Sequence, residues 1–330
     1  MIELKSNLTR RGFLSSAAAA CAAAAQTRTA ISHKERVDGA LKGKALDRPP
    51  FSFWHHFGLE KEGPERHAQA TIQFHRQFGT DLVKVMSDFP YPKPGGAWYD
   101  LKVLDNPFPA QIRALELIRE GVGKDAYFVE TIFNPWNVAE KLSSQKEVAE
   151  LKQTKPQTLA DALQVIARSE ANHAKRAITA GASGIFLAIA NAQPEFLSPE
   201  DYAKFSEPFD RMVLDAVRGV PLNILHLHGG HVYLDHFTKP WPAAAINYSV
   251  QGTGVSAEHY RKNYAGVLMT GLDEKNYRKL ETPELKKQWQ AAQEGAGLRF
   301  ILAPGCSVPN DSTDAELSRL PRLLGATQSG

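Results

Sequence analysis

Sulfur is scarce in this chain, whose 330 residues include 2 cysteines and 4 methionines. Two cysteines, Cys21 and Cys306, cannot build a disulfide framework. No apolar run is long enough for a multi-span membrane protein. Neither sign of charge dominates, with 39 Lys and Arg against 36 Asp and Glu for a formal net charge of +3. That weak, dispersed excess leaves no basic footprint for nucleic acid. A hydrophobic content of 43% excludes disorder, and nothing in the pattern suggests collagen or a coiled coil. What the chain does have is histidine, 11 in all, with His226, His228, His231 and His236 close together. The length suits one large domain or two modest ones.

Residues 1–30 read as an address. Thr9-Arg10-Arg11-Gly12-Phe13-Leu14 is a twin-arginine pattern, and the small-residue run from Ser15 to Ala25 follows it. The run is too short and too poor in Leu and Ile to span a bilayer. Ala23-Ala24-Ala25 offers an A-x-A cleavage site, so the mature chain is expected to begin near Gln26, exported by the twin-arginine machinery to a periplasmic or other extracytoplasmic space. Cys21 follows four alanines but lacks the Leu that a lipid-attachment site places three residues earlier. Cleavage removes Lys5, Arg10, Arg11 and Glu3, lowering the net charge to about +1, and leaves Cys306 as the single thiol. Twin-arginine export carries folded proteins, which fits a cofactor installed in the cytoplasm.

From residue 31 to 330 the pattern alternates strand and helix. Strands are predicted at Phe51–Phe57, Asp81–Ser87, Tyr127–Phe133, Gly184–Ala190, Leu222–His228, Ala243–Val250, Val267–Leu272 and Arg299–Ala303. Several are continuously apolar, as strands of a parallel sheet buried on both faces are. Helices are predicted at Pro64–Phe78, Pro109–Arg119, Thr158–Ala180, Pro199–Arg218, Ser256–Tyr264 and Pro283–Glu294. Ser or Thr followed by Pro marks several starts, as at Ser198-Pro199 and Thr282-Pro283. Eight strands alternating with helices predict a single (β/α)8 TIM barrel. A doubly wound open sheet competes, but no G-x-G-x-x-G follows the first strand.

In such a barrel the chemistry sits where the strands end. The predicted strand ends supply His55 and His56, Asp88, Asn134, Asn191 or Gln193, His226 and His228, Gln251, Asp273 and Cys306. Two histidines at i and i+2 on a strand point to one face, so His226 and His228 can reach one ion. Cys306 lies just past the last strand, and two imidazoles with a thiolate leave an open position on tetrahedral zinc. Taken singly, a His-x-His pair or a lone Cys reads as ordinary structure; together, at two strand ends, they read as a metal site. Asp88 reads as a catalytic carboxylate or a turn cap. Asn134, Gln251 and Asp273 are the candidates for holding a small-molecule substrate. His231 and His236 read as helix and loop residues, and His67, His75, His173 and His259, in helical patterns, as solvated.

These residues resemble the uroporphyrinogen decarboxylase superfamily, which also contains cobalamin-dependent methyltransferases. The likeness runs from Arg36 to Leu324. Arg36–Gly43 and Asp47-Arg48-Pro49-Pro50 look like the superfamily's opening helix and the turn into its first strand. Phe78-Gly79-Thr80-Asp81, continuing to Ser87-Asp88-Phe89-Pro90, is similar to the segment carrying the decarboxylase's catalytic aspartate, which places Asp88 there. Thr270-Gly271-Leu272-Asp273 resembles a G-N-x-D-P turn, with the Asn missing and Glu274 in place of the Pro. Ala303–Pro309 resembles the last-strand motif, in which decarboxylases carry His and methyltransferases a zinc-binding Cys. The methyltransferase branch is implied to bind zinc through H-x-C and a later Cys; this chain offers His226-x-His228 and Cys306.

The departures steer the expected function. Where decarboxylases have M-R-Q-A-G-R, this chain has Trp54-His55-His56-Phe57-Gly58-Leu59. Arg forks pair the many carboxylates of a tetrapyrrole, and His55 and Leu59 cannot replace them. The resemblance therefore implies zinc-dependent methyl transfer to a thiol or related small acceptor, with Asp88, His55 and His56 assisting. Imidazole in place of thiolate raises the site's charge by one and strengthens zinc as a Lewis acid. No D-x-H-x-x-G corrinoid-binding motif is present, so a cobalamin donor implies a separate corrinoid protein. A carboxy-lyase acting on a smaller carboxylate and an exported, non-catalytic ligand-binding barrel are the alternatives. The resemblance also admits a homodimer.

Overall fold

The computed structural model describes residues 31–326, apart from Glu60 and Asp88. The predicted export segment, with its twin-arginine motif, the cleavage site near Ala25 and Cys21, lies outside the described residues. Seven strands form one parallel sheet in which each strand pairs with the next: β1 Leu82–Val85, β2 Tyr127–Phe133, β3 Ile185–Ile189, β4 Ile224–Leu227, β5 Ala245–Tyr248, β6 Val267–Leu272 and β7 Phe300–Pro304. Each corresponds to a predicted strand: β2 and β6 have the predicted bounds, β7 is shifted by one residue, and the others are trimmed at their ends. The sheet is curled in the manner of a TIM barrel. Its inward residues, among them Leu82, Val129, Phe186, Ile224, Ala245, Val267 and Ile301, form one buried cluster. Outward residues such as Ile185, Leu225, Ile246 and Leu268 pack in a second cluster with the helices. Apolar residues on both faces explain why these strands read as unbroken hydrophobic runs.

The eighth predicted strand is the correction. Phe51–Phe57 contributes a single bridge, Phe51 with Leu302, and no ladder. Pro49 and Pro50 have no N–H to give, which limits pairing at the entrance. Ser52 N donates to Leu302 O and Asp81 N to Phe51 O, so residues 50–52 bond to β7 on one side and to the start of β1 on the other. Beyond Ser52 the chain follows the segment after β7 instead, with Val308 N donating to Trp54 O.

The helices are α1 His33–Lys42, α2 Gly63–Phe78, α3 Pro109–Val122, α4 Pro135–Leu142, α5 Gln145–Thr154 and α6 Pro156–Thr179. After β3 come α7 Pro199–Phe205 and α8 Glu207–Asp215; after β5, α9 Val250–Thr253 and α10 Ala257–Arg261; then α11 Thr282–Ala296, α12 Asp314–Leu317 and α13 Arg319–Leu323. The predicted Pro199–Arg218 helix is two helices. Pro208 lacks an N–H and its ring opposes the carbonyl of Lys204, so the chain breaks at Ser206. Helix α1 opens with a Ser32–Glu35 capping box and sends Val37 and Ala40 into the inner cluster of the sheet. Among the described residues, no helix is long and apolar enough to cross a membrane.

Candidate metal centre at the strand ends

The inner face of β4 carries Ile224 and His226, and His228 follows one residue past the strand on the same side. Cys306 stands two residues past β7. Ligand atoms of His226, His228 and Cys306 all lie within 4.8 Å of one another, and Cys306 Sγ is 3.3 Å from His228 Nδ1. Two glycines make this convergence possible. Gly305 runs so close to the end of β5 that a Cβ would fall 2.3 Å from Ser249 Cα. Gly229 takes a φ of +109°, and a Cβ there would meet the Gln193 amide. Gln193 in turn donates to Ala190 O at 3.1 Å and His228 O at 2.9 Å, tying the ends of β3 and β4 together.

Asn247 orients the deepest ligand. It lies beside His226 in the β4–β5 register. Its amide nitrogen donates to Met269 O at 2.7 Å and Pro304 O at 3.0 Å, spending both N–H groups on β6 and β7. Its oxygen therefore faces His226 Nδ1, 2.6 Å away, and must accept from it. That hydrogen bond puts the His226 proton on Nδ1 and leaves Nε2 with a free lone pair, as ligating histidines are commonly prepared. Phe186 stacks on the same ring with centroids 4.9 Å apart, and Trp54 meets Phe186 edge-on. Burial decreases from His226 through Cys306 to the exposed His228, so the cluster opens toward solvent.

The three side chains of this cluster shift one another's protonation. Burial alone raises the Cys306 thiol, but the neighbouring imidazoles, of which His228 lies within hydrogen-bond distance, outweigh it and bring the thiol down to about 4. His228 is raised, first by its hydrogen bond with Cys306, against the effect of burial, with the Glu274 carboxylate adding to the rise. Each of the two groups thus favours the charged form of the other. Two borderline nitrogens and one soft sulfur form the donor set of a zinc site with one position open, so the residues present fit that ion.

The remaining predicted site residues are placed elsewhere. His55 is half-buried between Phe57 and Phe74, its Nδ1 2.9 Å from His56 O, and burial lowers its pKa. His56 N donates to Asn310 Oδ1 at 3.0 Å. Asn134 is fully buried; it caps α4 through Asn137 N and donates to Asn191 Oδ1 at 2.7 Å, in a network with Ser206 and Asp210. Asp273 accepts from Lys275 N and Asn276 N in a turn, and the exposed Gln251 lines a surface groove against α11. Asp88 lies outside the described residues. Three histidines expected to be solvated are buried: His67 packs on Phe89, His75 faces the Thr80 hydroxyl, and His173 bonds Glu130.

Three residues near the site were missed. Asn247 is one. Glu274 is buried and accepts from Ser249 Oγ at 3.0 Å. Lys84 sits on the inner face of β1, its Nζ 5.1 Å from the Phe186 ring centroid and 5.5 Å from that of Trp54. A lysine inside the apolar run Leu82-Val83-Lys84-Val85 was the available signal for the last.

Residues 97–322 match the family described as uroporphyrinogen decarboxylase (URO-D). The methylcobamide:CoM methyltransferase MtaA of Methanosarcina barkeri is 26% identical over 225 residues, covering 66% of this chain and 64% of that protein. The chain thus matches just under two thirds of that relative's length. A methyltransferase structure from Methanosarcina mazei superposes with a TM-score of 0.74 at 20% identity, over 89% of this chain and 98% of its own. A B12-independent methionine synthase from a Shewanella species gives 0.59 at 12% identity, over 86% and 94%. At these identities the two structures speak to the fold.

Proposed function

Since the chain belongs to the uroporphyrinogen decarboxylase family, we propose that it is a zinc-dependent methyltransferase that passes a methyl group from a corrinoid, carried by a separate protein, to a small thiol. The observation that carries this reading is the convergence of His226, His228 and Cys306 within 4.8 Å. The methyl-transfer class draws support from the relative whose name couples a methylcobamide to CoM. Zinc held by these three residues would supply Lewis acidity that lowers the pKa of a thiol acceptor. The chain's own residues do the rest. Asn247 and Phe186 fix His226, Gly305 sets the position of Cys306, and the exposed edge at His228 admits the acceptor. Glu274, close enough to His228 to raise it, is the carboxylate able to take the acceptor's proton. The twin-arginine pattern puts this chemistry outside the cytoplasm in our reading, which cell fractionation of an Arg10→Lys, Arg11→Lys variant would test.

The direct test is metal analysis after expression with zinc, followed by incubation with methylcobalamin and a small thiol. We expect close to one zinc per chain, with most of it lost in Cys306→Ser and His226→Ala. Asn247→Leu should weaken zinc affinity by about 10- to 100-fold, the usual effect of removing a ligand's orienting partner. Zinc below about a tenth of an equivalent in the wild-type chain would sink the proposal, because a site of this kind binds far more tightly than that. Zinc retained in both ligand variants would place the ligands elsewhere.

A further inference from the structure

A cavity of about 220 Å³ lies at the ends of β1 and β2 and shares no residue with the metal cluster. Helices α4 and α6 form its walls. The segment leading to α3 roofs it and is strapped to α6: Leu104 N donates to Ser169 Oγ at 2.9 Å, Asn172 Nδ2 to Leu104 O at 3.0 Å, and Arg176 Nε to Asp105 O at 2.8 Å. Phe89, Tyr91, Phe108 and Phe133 give it an aromatic lining. Glu170 and His173, one turn apart on α6, project into it beside that strap.

Two buried polar atoms on α6 facing this space have no hydrogen-bond partner: Glu170 Oε2 and His173 Nδ1. Buried polar groups are nearly always paired, so two orphans one turn apart on a cavity wall point to a partner held in the cavity. The cavity has the volume of about seven waters at ~30 Å³ each, enough for a small ring. The polarity of the orphans can be read. His173 Nε2 lies 2.9 Å from Glu130 Oε1, and the other oxygen of Glu130 accepts from Gln111 Nε2 at 2.8 Å. Nε2 therefore donates to Glu130, and in the neutral ring Nδ1 is an acceptor. Burial, with the nearby Asp210 charge, pushes the Glu170 carboxyl well above its usual range against the opposing charge of Lys141, which also lines the cavity, and favours the protonated acid, which has an O–H to give. A hydroxyl that both donates and accepts answers this pair, and a ring attached to it answers the aromatic lining.

We propose that this cavity is a second binding site, one that takes a small phenol with its hydroxyl between Glu170 and His173. The proposal is argued from other residues than the metal reading, since the cavity lining and the metal cluster have none in common. Fluorine NMR of para-fluorophenol with the full zinc-loaded chain tests it. A single saturable site is expected, competed by phenol and at least tenfold weaker for para-fluorotoluene, which lacks the hydroxyl. Glu170→Met should weaken phenol binding at least tenfold, and Val138→Phe, which fills the cavity from α4, should abolish it. Zinc content should be unchanged in both. If Glu170→Met fails to fold, the fluorotoluene comparison and Val138→Phe decide. No saturable signal, as from a cavity holding water alone, overturns the proposal. Equal affinity for the phenol and the toluene, or full binding in Val138→Phe, does so as well.

Discussion

Cys306 lies between two imidazoles, and that neighbourhood sets its protonation more strongly than burial does. An ordinary thiol near 9 gains about tenfold in alkylation rate per pH unit below its pKa, because only the thiolate reacts. In the metal-free chain the thiol is brought down to about 4, so the thiolate persists at every pH above that. Iodoacetamide should therefore modify Cys306 at a nearly constant rate from about pH 5 to 8. In His228→Ala the rate should fall as pH drops through that window, and zinc should protect the wild-type thiol. A tenfold rise per unit in the wild-type chain would mean that the neighbouring imidazoles do not lower the thiol. At this scale the sequence showed the three side chains that converge but not their supports. The His-x-His spacing and the isolated thiol are local signals, whereas Asn247 becomes a partner of His226 only through the pairing of β4 with β5. His55 and His56 were chosen as ends of a strand that in fact stops pairing at Ser52. His173 was read as solvated because its partner, Glu130, is 43 residues away on β2.

The element scale explains why seven strands were legible. A parallel sheet with helices outside and a packed centre inside buries both faces, so each strand is an apolar run between turn residues. Helix breaks are weaker signals. Pro208 stood inside the predicted Pro199–Arg218 helix and ends α7 there, while α4 and α5 were missed although Asn134 and Ser144 cap them. The decisive connection for function is the step from β7 to Cys306. Gly305 passes Ser249 so closely that an added Cβ meets backbone atoms, which cannot swing aside as a side chain could. Gly305→Ala should cost about 1–3 kcal/mol through overpacking and displace Cys306 from the two histidines. Thermal unfolding and zinc titration check the two effects together. A variant with wild-type zinc affinity would show that the close approach does not set the thiol's position.

At the scale of the whole molecule, the sheet would be open between β7 and β1 but for residues 50–52, and Asp81 holds that seam. Its buried carboxylate meets His33 at 2.8 Å and Arg36 at 3.3 Å on α1, and Arg48 in the turn before the seam. It also accepts from Phe51 N at 3.0 Å. One side chain thus ties α1, the seam and the first strand. Burial opposes its ionisation, yet hydrogen bonds and charge from His33 and Arg48 hold its carboxyl below the usual carboxylate range. The sign follows from linkage: with the folded pKa depressed, this contribution is complete above the unfolded value near 4 and is lost as pH falls through the folded one. Asp81→Asn keeps the shape but removes the charge, leaving Arg48 without its carboxylate partner and Arg36 with Asp47 alone. Breaking a buried pair from one side costs about 3–5 kcal/mol, so the variant should unfold at markedly lower denaturant at pH 7. The gap between variant and wild type should then narrow as the medium is taken below about pH 4, where the carboxylate of the unfolded chain takes up its proton, and close only when the native one follows at its lower pKa. A gap that stays constant through that range, or one under about 1 kcal/mol at neutral pH, would mean that the seam is held by the apolar contacts of Phe51 and Trp54 and not by charge.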